Sequence, residues 1–293
     1  MLHRCLLLLT LLAAAPALAG GPALSIGLEA APEATLSAPP VPGAALEAVT
    51  AGFEAEWTHA VSARTFLSHA LSARSTRLSW RGWGDAAPPV DRFQELGYRL
   101  AVTRLLNDPR WSVTVTAEPV LGADLDGDVR SQALNTSVAV LAVRTPDGVA
   151  RTGFGLAYTF QFGAPVPIPL YLHHREGDRF HVDLLLPGDA EVSVGLSSGL
   201  RLGAAFRLRG GQAVFGDGVL PGREPRLQYV QAVLGPRLIW TPRENLRAVL
   251  DAGVAVHREW RVMDGDVERE RWDPETGPAL RLLLTWRPGG GPC

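Results

Sequence analysis

Cysteine, lysine and long apolar runs are what this chain lacks, and each absence excludes something. There are two cysteines, Cys5 and Cys293, one near the start and one at the last position. Once a leader is removed only Cys293 remains, so an internal disulfide is excluded. All 28 basic residues other than histidine are arginine. A formal net charge of −2 gives no basic face for nucleic acid. Beyond residue 19 no stretch approaches the length of about 18 consecutive apolar residues, which excludes membrane-spanning helices. Yet 46% of the chain is hydrophobic and only 20% is charged, so the apolar residues must follow another pattern. Catalytic signatures are missing too: there is no G-x-S-x-G and no H-E-x-x-H, and the spacing of Ser, His and Asp singles out no catalytic set. No cofactor is implied, and the sequence points away from an enzyme without excluding one assembled across strands.

The first 19 residues have the three-part order of a cleavable secretory signal: Arg4, an apolar run from Leu6 to Ala15, then Ala17-Leu18-Ala19. The apolar run is too short for an anchor, and Gly20 stands where a lipoprotein needs cysteine. Residues 20–49 are rich in Ala and Pro, with Pro32, Pro39, Pro40 and Pro42, and read as a periplasmic extension. Leu24, Ile26 and Leu28 are the alternative within it, as an added strand.

From about residue 50 the period is two. Phe154, Leu156, Tyr158, Phe160 and Phe162 alternate with Gly155, Ala157, Thr159 and Gln161. The same alternation runs through Leu200–Leu208, Leu246–Val256 and Leu280–Trp286. Weaker candidates cover 50–60, 75–82, 93–106, 111–119, 133–143, 168–174, 179–186, 190–196 and 226–240. Successive strand side chains point to opposite faces, so each segment has an apolar face and a small or polar one. Short connections such as 107–110, 145–148, 175–178, 197–199 and 241–245 carry turn residues and alternate with longer ones near 120–132, 210–225 and 259–276. Nearly every strand is apolar on one face and rich in Gly and Ala on the other, which a soluble sandwich would not be. The expected fold is all-β: an antiparallel up-and-down transmembrane barrel over 50–287, of about 12 strands with 14 as the alternative, and a tail at 288–293. The expected location is the outer membrane, with lipid and the barrel-assembly machinery as partners and no oligomeric state implied.

The stretch Gly155-Leu156-Ala157-Tyr158-Thr159-Phe160-Gln161-Phe162-Gly163, with Pro165, Pro167 and Pro169 after it, resembles a family of bacterial outer-membrane β-barrel proteins of unknown function. So does Arg179-Phe180-His181-Val182-Asp183-Leu184-Leu185-Leu186-Pro187. The resemblance implies an outer-membrane barrel and transfers no functional residue. It has one departure: such barrels end on an aromatic residue used in assembly, whereas Trp286 here is followed by seven more residues.

The face assignment puts Asp183, Glu191, Arg201, Arg207, Arg247 and Asp251 in the lumen, along with His181, Arg209 and Arg281. Hairpin pairing sets Glu191 opposite Ala205 and diagonal to Arg207, which predicts a carboxylate–guanidinium ladder. Trp111, Phe180, Trp240 and Trp286 lie next to short turns or close the last strand, as an aromatic girdle would. Asp124–Asp128 resembles part of a calcium loop, but Val129 and Asn135 stand where Gly and Glu are required. The expected role is structural or solute passage. The alternatives are an enzyme sited in the lumen or loops, and a soluble periplasmic β-sheet protein that binds a ligand.

Overall fold

A computed structural model of the protein describes residues 22–36, 43–86, 88, 90–124, 133–146, 149–159, 166–177, 179–216, 220 and 224–288. The 1–19 signal segment lies outside these residues, as does the tail beyond Pro288 and most of the 124–128 acidic run.

Fifteen strands follow in chain order: β1 (Ala23–Thr35), β2 (Ala45–Ser62), β3 (Thr65–Arg81), β4 (Arg92–Leu105), β5 (Trp111–Ala123), β6 (Leu134–Arg144), β7 (Ala150–Thr159), β8 (Val166–Glu176), β9 (Phe180–Leu186), β10 (Asp189–Ser197), β11 (Leu200–Val214), β12 (Pro225–Arg243), β13 (Leu246–Asp264), β14 (Val267–Trp272) and β15 (Gly277–Trp286). Each of β1 to β12 pairs antiparallel with its neighbours; β12 pairs with β13, β13 with β15, and β15 with β1. The result is a closed antiparallel barrel of 14 strands, each paired on both sides. The remaining strand, β14, pairs only with the far end of β13, as a hairpin standing above β15.

The stretch 20–49 is corrected by the structure, because β1 and the start of β2 lie in it and the barrel begins at Ala23. Leu24, Ile26 and Leu28 alternate with Ser25, Gly27 and Glu29, and β1 pairs with both β2 and β15, so this strand closes the sheet. Pro32 falls in the register shift between Ala31 and Ala34, where a missing N–H does no harm. The long connections near 210–225 and 259–276 are likewise shortened, since β11, β12, β13 and β14 run into them.

Strand lengths divide the wall into two arcs. β6 to β10 have 7 to 11 residues, about what a tilted strand needs to cross a bilayer. β2, β3, β12 and β13 have 17 to 19 and extend well past that at the long-loop end. On β3 the face pattern inverts along the way. Inward Ser68, Ala70, Ser72, Arg74 and Thr76 give way to Leu78 and Trp80, and outward Leu67 and Leu71 give way to Ser75, Arg77 and Ser79. The tall arc closes on itself above the short one, where Val214 of β11 pairs with Ala123 of β5.

Inside this upper section lies the main apolar core. Leu46, Leu78, Phe93, Leu227, Trp260 and Val262 are buried together with Leu36, Trp83, Phe215 and Trp272. Trp80, Trp83 and Trp272 pack edge to face, with centroids 5.0–5.9 Å apart. The core fills the interior of the barrel at the long-loop end, below the outer connections.

Candidate functional site

The polar interior begins beneath that plug. Cross-strand register sets Arg237 of β12 beside Asp251 of β13, Asp251 beside Arg281 of β15, and Arg281 beside Glu29 of β1. Directly opposed side chains in a sheet are close neighbours, so register alone produces a row of alternating sign across four strands. Arg237 grips Asp251 with two hydrogen bonds, Nε to Oδ1 at 2.6 Å and Nη2 to Oδ2 at 3.1 Å. Its Nη1 donates to Glu191 Oε2 at 2.9 Å, and Ser193 donates to the other oxygen of that carboxylate at 2.9 Å. Arg207 of β11 bridges the row from the side, 3.3 Å from both Asp251 and Glu29. Buried charges are tolerated where opposite charge and hydrogen bonds are supplied together, and here three guanidiniums meet three carboxylates.

The span from Arg237 to Glu191 crosses β11 at a strand position that only glycine fits. Gly203 lies opposite both Arg237 and Ser193, and a Cβ there would collide with the Ser193 side chain and the Val192 carbonyl. Nearer the plug, Tyr229 donates to Glu95 Oε2 at 3.1 Å, and Gly211 leaves the space through which those two side chains meet. Arg99 pairs with Glu54 at 3.2 Å lower on the same wall.

Three of the six lumen candidates, Glu191, Arg207 and Asp251, are buried within the row. Glu191 does stand opposite Ala205, but its guanidinium partner is Arg237 rather than Arg207. Asp183 is largely exposed, 3.7 Å from His174. Arg201 and Arg247 share the inward face toward the short-turn end and form no ion pair within 4 Å among the described residues. Sequence reasoning missed Arg237, Glu29, Glu95 and Tyr229. The signal for Arg237 was present, since Gly235, Arg237 and Ile239 are out of phase with Leu234, Leu238 and Trp240. Glu29 was passed over with its strand.

On the outside, Trp111, Phe180, Trp240 and Trp286 are exposed and sit at the short-turn end of their strands. A further outward group, Trp57, His59, His69 and Tyr98, stacks on β2 to β4, with His69 Nδ1 and the Tyr98 hydroxyl 2.7 Å apart. His173 and His174 point to opposite faces, toward Thr152 and Asp183 respectively. No group of three metal-ligating side chains occurs among the described residues. At the turn between β4 and β5, the Arg110 guanidinium and backbone N–H hold the Asp108 carboxyl below the usual range.

Solved barrels of similar outline are distant. An outer-membrane channel of Pseudomonas putida F1 is 10% identical, over 92% of this chain and 95% of that one, with a TM-score of 0.46. The toluene transporter TodX of P. putida is 7% identical over 95% and 91%, with a TM-score of 0.41. The translocator domain of the autotransporter NalP from Neisseria meningitidis is 9% identical over 97% and 95%, with a TM-score of 0.38. At such distances these likenesses do not bear on activity. No curated protein matches the chain in sequence. The family described as Domain of unknown function (DUF6268) matches residues 90–269, β4 to the hairpin strand β14, and the chain belongs to that family.

Proposed function

We propose that this chain is an outer-membrane barrel, exported by way of the 1–19 segment, that governs passage of small charged solutes through its lumen. The observation that carries this reading is the division of faces. Phe154, Leu156, Val140, Leu202, Leu250 and Leu282, from five different strands, are exposed on the outside, while Glu191, Arg207, Arg237 and Asp251 are buried within. A soluble protein would lose free energy by that arrangement, whereas hydrocarbon reverses the sign for every outward side chain. Trp111, Phe180, Trp240 and Trp286 would lie in the interface on the periplasmic side, with lipid as the surrounding partner and the barrel-assembly machinery as the route of insertion. The ionic row would act as a charged constriction, setting which solutes pass.

Two experiments test the two halves of this reading. Membrane fractionation with a gel shift on heating should place the chain in the outer membrane as a folded barrel; recovery in the soluble fraction would overturn it. In planar bilayers, with the plug opened by Trp80→Ala and Trp272→Ala, the further change Arg207→Ala should alter the anion-to-cation permeability ratio. An unchanged ratio would remove the constriction from the proposal.

A further inference from the structure

A cavity of about 250 Å³ lies on the lumen side beneath the plug, against β1 to β3, β11 to β13 and β15. Three arginines line it, Arg74, Arg209 and Arg281, and each is short of a carboxylate partner. Asp251 is already held by Arg237 at 2.6 Å and by Arg207 at 3.3 Å, which leaves Arg281 at 3.6 Å. Glu29 is 3.3 Å from Arg207 but 4.0 Å from Arg209, whose buried Nε has no hydrogen-bond partner among the described residues. Arg74 forms no ion pair within 4 Å among those residues; Glu95, directly across the strand pair from it, accepts from the Tyr229 hydroxyl, and Glu54 is paired with Arg99. Aromatic side chains line the end nearest the plug. Tyr229 and Trp260 stack with centroids 5.1 Å apart, and the hydrogen bond from Tyr229 to Glu95 fixes the pair in place.

From this juxtaposition of under-paired guanidiniums and a fixed aromatic end, we propose that the cavity binds a small carboxylate with a flat apolar body. A guanidinium fork matches the two oxygens of a carboxylate, and the Tyr229–Trp260 pair offers apolar surface to the body. The cavity lies just under the ordinary range of ligand pockets, about 300 to 1,000 Å³, which limits the ligand to a small one. A neutral analogue would leave the guanidiniums unpaired, and a cation would be repelled. This inference rests on the barrel fold and not on passage, so a barrel that binds the ligand yet conducts nothing even when its plug is opened would defeat the proposed function and leave the cavity's assignment standing.

The test uses the full chain, refolded in detergent micelles and shown to be folded by its heat-dependent gel shift, with calorimetric titration of benzoate, benzamide and inorganic phosphate. Benzoate should bind saturably and about tenfold or more tighter than benzamide or phosphate. Arg209→Gln should weaken benzoate by about tenfold while leaving benzamide unmoved, and Arg209→Lys should recover part of the loss. Asp183→Asn, outside the cavity, should change nothing. Where Arg209→Gln does not fold, Arg74→Gln carries the same expectation. Three outcomes overturn the inference: no saturable benzoate binding, benzamide or phosphate binding as tightly as benzoate, or benzoate affinity unchanged in a folded arginine variant.

Discussion

The tall arc of the barrel, β1 to β5 with β11 to β13, and the short arc, β6 to β10, are built from the same alternation but carry different interiors. Inward positions on β6 and β7 are mostly small or aliphatic: Ala139, Leu141, Val143, Gly153, Gly155 and Ala157. The tall arc holds most of the ionic row and, higher up, the apolar plug. The contrast shows that strand length decides what an inward face becomes. A strand that only spans the bilayer has one environment on each side along its whole length. A strand that continues past the bilayer must be apolar outside while in lipid and apolar inside once above it, as β3 is.

Substitutions in the two arcs should therefore differ in size. Phe93→Ala, in the plug, is expected to cost about 3–5 kcal/mol in urea unfolding from lipid vesicles, because the plug is packed as a protein core. Asp251→Ala should cost a similar or slightly smaller amount, about 3–5 kcal/mol, by leaving Arg237, Arg207 and Arg281 without their shared carboxylate. Asp183→Ala, exposed on the short arc, should shift the same unfolding midpoint little, and equal losses at Asp251 and Asp183 would erase the comparison. Leu282→Arg on the outer belt is expected to cost about 2–4 kcal/mol, whereas Arg77→Leu, outward but above the belt on β3, should be close to neutral in the same assay. The smallest effect belongs to the exposed β4–β5 turn. Arg110 lowers the folded-state pKa of Asp108, so its contribution is present above the unfolded pKa of about 3.9 and is lost as pH falls through the lower folded value. Asp108→Asn should lower the midpoint slightly at neutral pH and leave it unchanged in acid, where the wild-type carboxyl is already protonated.

Much of the architecture was legible because period two survives in any strand with lipid on one side. The candidate segments from 50–60 to Leu280–Trp286 correspond to β2 through β13 and β15, and the even-number preference left one strand fewer or one more, 12 or 14. The added strand, β1, was hidden by Pro32 and by the Ala-rich stretch around it. β3 was found only from residue 75, since its first ten residues set Leu67 and Leu71 against Ser and Ala, and the faces then exchange character. The site was less legible than the fold. Sequence parity shows which residues face inward, and it placed Glu191 against Ala205. It does not show which inward residues meet across non-adjacent strands. Arg237 of β12 meets Glu191 of β10 across β11, a contact that strand-by-strand pairing does not give.

The most direct measurement of the whole arrangement is single-channel conductance of the reconstituted barrel, wild type against the double variant Trp80→Ala, Trp272→Ala, in which two of the three edge-to-face indoles of the plug are removed. A plugged barrel should be nearly silent as wild type, and the double variant should open in discrete ionic steps. Steady open-channel conductance in the wild type, unchanged in the double variant, would contradict closure by the plug.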